Sequence, residues 1–473
     1  MKETKKYWKG LEQLENTADY QERASKEFPD YLPLKGEENG DPSRRDFLKM
    51  MGFGVAAVSL AACEAPVRKA IPYVNKPVDV DPGIANYYAS TYAMGSDVFP
   101  VVVKTREGRP IKVEGNDLSM LSQGGTTSQV ESSVLSLYDQ ERLQNPKISG
   151  SDADWETLDN QIKTELASNS GKISIVSYSN CSPSTAKAVE ALRTKYGEVE
   201  HIQYDALSVS GLLDAYNEAT GVRMLPLHDF SKASTIVSIM GDFLGSGPHH
   251  ALYNRQFAQT RKLGPDKKEM SRLYAFESNL SLTGSNADYR QPIKPSQSGL
   301  VVANLYNLVA QKAGAPTIGA SRLADTAVIE KAANDLWKTR GKSLVVSDSN
   351  DKQVQLLIIA LNDLLQSYGN TIDLSKSTNT RKGNDQAFSQ LVSDAKGGAV
   401  GTVIFYNCNQ AYDNPLGALL MSAISKVKTT ISTSDRMDET SSAVKYVAPD
   451  HHYLESWTDL EPVTGHLTLS QPT

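Results

Sequence analysis

Short apolar segments alternate with amphipathic ones over most of the chain, and this alternation predicts a parallel α/β architecture. Parallel strands that are joined by helices carry helices on both faces of their sheet. The predicted strands are 173–178, 235–240, 273–276, 343–347, 402–406 and 428–433. The predicted helices are 155–166, 184–196, 300–312, 324–339 and 352–366. We therefore expect an α/β fold with two lobes, residues 151–340 and residues 341–473.

Composition excludes several classes of protein. The chain has 49 basic and 55 acidic side chains, a net charge of −6, whereas nucleic-acid-binding domains usually carry a basic face. Its three cysteines are Cys63, Cys181 and Cys408. Because a [4Fe–4S] cluster normally needs four thiolates, these cysteines cannot supply a cluster alone, and they cannot form a disulfide framework.

The amino-terminal region contains an export signal. Arg44 and Arg45 form a twin-arginine pair, and the apolar run 50–62 follows them. As a helix this run would be about 20 Å long, short of the ~30 Å hydrocarbon core of a bilayer. We therefore interpret it as the apolar part of a Tat signal and not as a transmembrane helix.

The signal ends in Leu60-Ala61-Ala62-Cys63, which resembles the lipobox of bacterial lipoproteins. Cys63 would then become the lipidated amino terminus, and two or three acyl chains would hold the protein on the membrane. The alternative is an ordinary cleavage site with a cysteine nearby by chance. We expect residues 1–65 to be this signal with a long amino-terminal extension, and the protein to be exported to the periplasmic face of the bacterial inner membrane.

Residues 66–150 do not show the alternation of strands and helices that is predicted for the two lobes. We expect an extended segment over 66–95, a β-hairpin with strands at 98–104 and 110–114, and an irregular stretch at 115–150. The chain stops at Thr473 just after a strand-like segment, so we expect a truncated second lobe.

Loops that follow strands are the candidate binding elements, because ligands of open α/β sheets bind beyond the carboxyl ends of the strands. Gly241, Gly245 and Gly247 could let backbone N–H groups approach a phosphate, although a tight turn explains the same residues. Asn409 follows another predicted strand. Asp435 belongs to a possible carboxylate cluster with Asp438 and Glu439, for which a solvated loop is the alternative. A cofactor role for Gly241, Gly245, Gly247, Asn409 and Asp435 would be vestigial.

Cysteine and histidine residues give no metal or catalytic assignment. Cys181 and Cys408 each follow a predicted strand, where a free cysteine is usually a small buried hydrophobe. The pairs at 249–250 and 451–452 are adjacent histidines, which point to different sides of an element and rarely hold one ion together. We assign no catalytic residue and no metal ligand.

Several segments in a shared order resemble the molybdopterin oxidoreductases. These are the hairpin 101–115, the stretch 137–146, the helix start at Trp155, the turn at 241–242 and the segment 443–450. The resemblance implies a small β-hairpin region followed by two Rossmann-like α/β lobes. The twin-arginine lipoprotein start and residues 432–472 resemble one branch in particular, the molybdopterin-oxidoreductase-like iron–sulfur subunit of alternative complex III, in its amino-terminal half only.

The chain also departs from the family pattern. Residues 64–180 contain no cysteine, so an amino-terminal iron–sulfur cluster is not expected. Glu277-Ser278-Asn279 stands where the enzymes have Asp-Pro-Arg, and Ser208 or Ser210 would be only a guess as a metal ligand in the segment 204–210. The resemblance therefore implies a scaffold that has lost its pterin.

The implied function is a lipid-anchored subunit of a quinol:cytochrome c oxidoreductase. Its partners would be other subunits of that membrane complex, including c-type cytochromes, and its iron–sulfur clusters would lie in a carboxy-terminal half that this chain lacks. We expect this chain to bind no cofactor and no nucleic acid. Whether it is an enzyme stays open. Two alternatives remain: an active molybdopterin enzyme of the polysulfide or thiosulfate reductase type, and a periplasmic small-molecule binding protein.

Overall fold

The computed structural model describes residues 80–265 and 267–473, together with residues 15, 17, 18, 20 and 21. The chain forms two units, Met1–Lys76 and Pro77–Thr473, and the sheets of this fold lie in the second unit. Arg44, Arg45, Cys63 and residues 66–79 lie outside the described residues. None of the helices in the described part has the length and apolar character needed to cross a bilayer.

Eighteen strands are assigned within residues 80–473, apart from residue 266, and twelve α-helices accompany them. The strands are β1 (Ala85–Met94), β2 (Asp97–Arg106), β3 (Arg109–Gly115), β4 (Lys147–Ile148), β5 (Ser151–Asp152), β6 (Lys172–Tyr178), β7 (Val199–Tyr204), β8 (Pro226–His228), β9 (Thr235–Ile239), β10 (Arg272–Glu277), β11 (Tyr289–Pro292), β12 (Ser343–Val346), β13 (Ile372–Ser377), β14 (Val400–Tyr406), β15 (Thr429–Ser432), β16 (Tyr446–Val447), β17 (Thr458–Val463) and β18 (His466–Ser470). The helices are α1 (Ser128–Leu137), α2 (Trp155–Ala167), α3 (Pro183–Tyr196), α4 (Ser210–Thr220), α5 (His250–Arg261), α6 (Leu282–Ser285), α7 (Ser298–Ala313), α8 (Ala327–Lys338), α9 (Lys352–Leu364), α10 (Asp385–Gly397), α11 (Gln410–Asp413) and α12 (Gly417–Ile424).

The strands β1, β2 and β3 form an antiparallel sheet in that order. In β2 the alternating residues Phe99, Val101 and Val103 are buried, and they pack against α1. The predicted hairpin is confirmed. Residues 85–94 of the expected extended segment are a β-strand that pairs along β2, a pairing that the sequence did not predict. The stretch 115–150 is not wholly irregular either, because Thr127 caps α1 there.

A seven-stranded sheet has the order β5-β4-β16-β15-β14-β6-β7, and its five strands from β16 to β7 run parallel. Side chains of β6 alternate between the two faces. Ile173 and Ile175 pack on the side of α3, whereas Val176 lies in the cluster that contains α10 and α12 residues. Both faces are thus covered by helices, which explains why the strands are almost continuously apolar.

A four-stranded parallel sheet has the order β11-β10-β9-β12. Val237 and Tyr274 pack toward α7, α8 and α9, while Ile236 and Leu273 pack toward α5 and Phe230. Two antiparallel pairs, β8 with β13 and β17 with β18, complete the sheets of the described residues. The expected mixed α/β fold with several sheets is therefore what the chain adopts.

The sheets do not divide the chain at residue 340. Strands β6 and β7 from the predicted first lobe share a sheet with β14 and β15, whereas β12, from the predicted second lobe, pairs with β9. The boundary was wrong because one sheet-forming segment, β9 to β12, is inserted between β7 and β14. Strand periodicity reports burial but not which strands are partners, so the sequence pattern could not reveal this insertion.

Candidate functional site

A cavity of about 450 Å³ lies at the carboxyl ends of β6 and β14. Its walls come from the loops that follow these strands, from the loop after β15, and from the turn between β1 and β2. Asn407 starts one of these loops with a positive φ of 48°, a left-handed conformation that asparagine tolerates better than most residues. Its side-chain amide donates to Asp450 (2.7 Å) and accepts from Thr433 (2.7 Å), which ties three loops together.

Asn409 and Asp435 both line this cavity. The Oδ1 atom of Asn409 accepts a hydrogen bond from the Thr440 hydroxyl (2.8 Å), and its Nδ2 atom donates to Glu439 (2.7 Å). The amide of Asn409 is thereby engaged in holding the loop after β15. The structure thus brings two of the predicted site residues together, and gives Asn409 a structural role in the wall.

Asp435 belongs to a network of salt bridges on the cavity wall. Its carboxylate pairs with Arg142 (3.3 Å) and Arg436 (3.0 Å). Arg142 also donates two hydrogen bonds to Glu455, at 3.1 and 2.5 Å, and this contact holds the pKa of the Glu455 carboxyl below its usual range. Bidentate pairing of this kind fixes geometry as well as charge, so Arg142 joins residues 435 and 455 rigidly.

Cys181 and Cys408 are buried thiols. Burial raises the pKa of Cys181 to about 11, and it also raises the pKa of Cys408. The Sγ atom of Cys408 donates to the backbone carbonyl of Val176 at 3.3 Å. Because metal ligation and nucleophilic attack need the thiolate, these two groups are poorly suited to either.

The adjacent histidines at 451 and 452 have different environments. His451 is exposed, whereas burial lowers the pKa of His452 to about 4. The N–H of Leu454 donates to Nδ1 of His452 (3.3 Å), so this nitrogen is unprotonated and Nε2 is the donor to the Ser136 hydroxyl (2.9 Å). Within the described residues no group of three or more His, Cys, Asp or Glu side chains is arranged to hold a metal ion.

The glycine-rich loop lies apart from this cavity, after β9 in the other parallel sheet. The backbone carbonyl of Asp242 accepts hydrogen bonds from the N–H groups of Gly245, Ser246 and Gly247, at 3.0, 3.0 and 3.1 Å. A Cβ atom at Gly245 would lie 2.1 Å from a carboxylate oxygen of Asp242. The loop is therefore closed on itself, and internal packing accounts for Gly245.

The remaining loop glycines are also in close contact with protein atoms. A Cβ atom at Gly241 would lie 3.0 Å from the Ser238 hydroxyl, and one at Gly247 would lie 3.2 Å from Cα of Phe243. Gly247 lines a separate cavity of about 60 Å³. The tight-turn interpretation therefore explains Gly241, Gly245 and Gly247 without a ligand.

Glu277 ends β10, at the position where the resembled enzymes continue toward their nucleotide. Its buried carboxylate pairs with Arg290 (2.6 Å) and accepts a hydrogen bond from the Ser281 hydroxyl (2.5 Å). A pterin dinucleotide would need free donors at this edge and in the glycine-rich loop, and the groups just described are engaged inside the protein. At these two segments the residues present do not fit that cofactor.

Ser208 and Ser210 are outside the wall of the 450 Å³ cavity. The Ser208 hydroxyl donates to the carboxylate of Asp385 (2.7 Å), and the Ser210 hydroxyl accepts from Arg223 (3.0 Å). Both hydroxyls therefore tie loops around α4, and neither has a free coordination geometry toward the cavity.

Asp205, which is buried, and Asp413, which is half-buried, are carboxylates beside the cavity that the sequence patterns did not single out. Asp413 accepts hydrogen bonds from the hydroxyls of Tyr178 and Tyr204, the latter at 2.8 Å, while burial raises its pKa. Asp205 accepts from Ser96 (2.6 Å) and Ser179 (2.9 Å). A Tyr-Asp pair at the end of β7 was a visible signal for Asp205, whereas nothing local marks Asp413, which lies far from its tyrosines in sequence.

Comparison with known proteins places the fold. No protein-family model matches the chain, and no curated protein matches it in sequence. Among solved structures it is similar to acetylene hydratase from Pelobacter acetylenicus, with a TM-score of 0.65 at 9% identity over 81% of this chain. The chain spans 66% of the hydratase, slightly less than two thirds of its length. At this identity the likeness shows a shared fold alone.

A more distant similarity is to the formyltransferase/hydrolase complex (FhcABCD) from Methylorubrum extorquens, solved in complex with methylofuran. The TM-score is 0.47 at 12% identity, covering 69% of this chain and 93% of that one. This similarity is too weak to support an inference about structure or function.

Proposed function

We propose that the chain is a cofactor-free scaffold with the fold of the molybdopterin oxidoreductases. Two independent lines support the fold: the sequence segments that resemble that family, and the structural likeness to acetylene hydratase, a molybdopterin enzyme. On this proposal the chain has inherited the β1–β3 sheet, the seven-stranded sheet and the four-stranded sheet from an enzyme, but has lost that enzyme's catalytic activity.

The closed glycine-rich loop is the observation that carries the proposal. Phosphate binding at the end of a strand needs backbone N–H groups that point at the ligand. Here the N–H groups of Gly245, Ser246 and Gly247 are used by Asp242, and the Glu277–Arg290 salt bridge occupies the neighbouring strand end. We therefore assign no catalytic step and no pterin to these residues.

We further propose that this scaffold belongs to the iron–sulfur subunit of alternative complex III, as a lipid-anchored protein on the periplasmic face of the inner membrane. Arg44 and Arg45 would direct export, and Cys63 would carry the lipid. Neighbouring subunits, c-type cytochromes among them, and an iron–sulfur domain would carry the electrons from quinol. The present residues would hold these components in place.

Elemental analysis of the native, membrane-extracted protein tests the scaffold. Iron without molybdenum or tungsten, in a preparation that contains haem subunits, is the expected result. About one molybdenum or tungsten per chain would refute the scaffold and favour the polysulfide- or thiosulfate-reductase alternative. No metal in a monomeric preparation would favour a binding protein.

The anchor has its own test. Mass spectrometry of the mature protein should find an acylated amino-terminal cysteine at position 63. Lysine substitution of both Arg44 and Arg45 should leave the precursor in the cytoplasm, whereas Lys5→Arg with Lys6→Arg, a matched change in the same extension, should not. An unmodified Cys63 in exported protein would refute the lipid anchor while leaving the scaffold untouched.

The 450 Å³ cavity supports the second candidate function, a periplasmic binding protein. Its volume falls within the range of small-molecule sites, about 300–1,000 Å³. Three carboxylates and one arginine line it, Asp435, Asp438, Asp450 and Arg436, which would favour a small polar cation. Native mass spectrometry of the purified protein would reveal such a ligand as an added mass that Asp450→Asn abolishes.

A further inference from the structure

A groove of about 800 Å³ lies beside the amino-terminal ends of β9, β10 and β12, at the edge of the four-stranded sheet opposite the glycine-rich loop. Its lining is basic although the chain as a whole has a net charge of −6. The lining contains six cations, Lys232, Arg261, Lys267, Arg272, Lys338 and Lys342, against three carboxylates, Glu269, Asp288 and Asp335.

Two of the three carboxylates are engaged inside the protein. Asp288 accepts two hydrogen bonds from Arg261, at 2.7 and 2.9 Å, and Asp335 accepts from Arg272 (2.6 Å) and from the Tyr274 hydroxyl. These pairs neutralise the two arginines of the groove. The lysines therefore determine the charge that the groove presents to solvent.

The lysines of the groove are exposed, and most lack an acidic partner. Lys338 and Lys342 have no carboxylate partner among the described residues, and Nζ of Lys267 donates to the backbone carbonyl of Gln259 (2.8 Å). Lys232 alone of the four forms a salt bridge there, with Asp229 at 3.2 Å. Among the carboxylates that line the groove, only Glu269 has no salt bridge within the described residues. The lysines of the groove therefore outnumber its unpaired carboxylates.

The described residues between α5 and β10, 262–265 and 267–270, place apolar side chains beside these cations. Leu263 and Met270 are 53% and 50% exposed. Lys262 and Lys268 are exposed in the same loop, whose sequence also contains two acidic residues. Exposed apolar groups surrounded by lysines are typical of protein surfaces that lie in the headgroup region of an anionic bilayer.

We propose that this groove and the adjoining residues 262–265 and 267–270, together the basic face, bind the surface of an anionic membrane. This inference rests on the membrane location proposed above, and it adds which side of the protein meets the lipid. Lys267, Lys338 and Lys342 would contact the headgroup phosphates, while Leu263 and Met270 enter the interface. An anionic bilayer offers phosphates to the lysines and an apolar interior to the two exposed side chains, and an acidic protein partner is the outcome that the second variant below tests.

The test is sedimentation with vesicles of phosphatidylcholine, with or without 30% phosphatidylglycerol. The full chain carries Cys63→Ser, so that no acyl group contributes to binding. The test variant is Lys267→Gln, Lys338→Gln and Lys342→Gln together. The matched control is Lys187→Gln, Lys396→Gln and Lys426→Gln, three exposed lysines that are outside the groove and give the same change in net charge.

We expect the Cys63→Ser chain to bind the anionic vesicles and not the neutral ones. Each lysine near an anionic surface contributes about fivefold in affinity, so the test variant should bind on the order of 100-fold more weakly. The control should stay within about twofold, and raising the salt concentration should weaken binding. Equal binding to both vesicles, or a test variant that binds like its parent, would overturn the proposal.

A second variant separates a membrane from an acidic protein partner. Leu263→Ser with Met270→Ser should weaken vesicle binding while the lysines stay in place, because the apolar contribution is lost. Unchanged binding would overturn the insertion of this loop and favour a protein partner for the basic face. Since no acyl group takes part, a failure here is distinct from a failure of the anchor at Cys63, which mass spectrometry of the native protein reports.

Discussion

Substitution of Gly245 by alanine tests whether the glycine-rich loop is closed by internal packing or kept open for a ligand. The new Cβ would lie 2.1 Å from Oδ2 of Asp242, so the carboxylate must move. Its other oxygen, Oδ1, accepts hydrogen bonds from the backbone N–H (2.9 Å) and the hydroxyl (2.8 Å) of Thr283. The alanine should therefore break contacts that the protein makes without any ligand.

The expected cost follows from those two hydrogen bonds. Bonds to a charged group contribute about 1.5–3 kcal/mol each, so their loss should cost about 3 kcal/mol. A Gly-to-Ala change returns about 0.4–1 kcal/mol because it restricts the unfolded chain. We therefore expect Gly245→Ala to lower the free energy of unfolding by about 2 kcal/mol in urea denaturation of the full chain.

Two controls make the result specific. Gly264→Ala should be neutral or stabilise by up to about 1 kcal/mol, because no atom lies within 4 Å of its added Cβ and only the effect on the unfolded chain remains. In a background that carries Asp242→Ala the clash is gone, so Gly245→Ala should cost close to nothing. A Gly245→Ala chain as stable as the wild type, or an equal cost in both backgrounds, would refute the closed-loop argument and return the loop to the candidate phosphate sites.

Three further predictions concern the walls of the 450 Å³ cavity. Burial raises the pKa of Cys181 to about 11, so little thiolate is present at pH 8. Alkylation of this residue by iodoacetamide should therefore be at least about 100-fold slower in native protein than in urea-unfolded protein. Equal rates, measured by mass spectrometry, would contradict the buried thiol. Burial lowers the pKa of His452 to about 4, so between that pH and the ordinary value of 6.5 the unfolded chain binds more protons. The free energy of unfolding should therefore decrease as the pH is lowered through that window, by up to about 1.4 kcal/mol per pH unit from this group. His452→Gln should reduce the loss of stability that is measured between pH 7 and pH 5. Arg142→Ala should cost about 2 kcal/mol, because Glu455 loses its bidentate partner and Asp435 keeps only Arg436. Arg142→Lys should recover less than half of that cost, since lysine cannot donate in a bidentate manner, and full recovery would show that charge alone matters.

The local elements were predictable because their apolar period is strong. The helix predicted at 155–166 is observed as Trp155–Ala167, and the strand predicted at 173–178 as Lys172–Tyr178. The helix α1 was missed because Ser128–Leu137 contains four serines, a residue type that favours caps and turns over helix interiors. Capping by Thr127 and packing on the β1–β3 sheet decide its structure, and neither is visible in a single short window.

The site was only partly predictable, since the strand-end rule locates loops but not their contacts. It selected the loops that contain Asn409 and Asp435, and both of these residues line one cavity. It also selected the loop at Gly241, which belongs to a different sheet. Asp413 was missed because its partners Tyr178 and Tyr204 lie more than 200 residues away, and only the folded chain brings them together.

The insertion of β9–β12 between β7 and β14 has a consequence for the order of folding during synthesis. The four-stranded sheet is contiguous in sequence and can form as soon as β12 has left the ribosome. Strands β6 and β7 can pair with each other earlier, but the other edge of β6 has no partner until β14 is made. Pairing across so long a loop is slow, because the loop entropy is lost before the contacts form. Throughout that interval the apolar faces of β6 and β7 require shielding, so a nascent chain arrested before residue 400 should bind holdase chaperones more strongly than one that extends past β15.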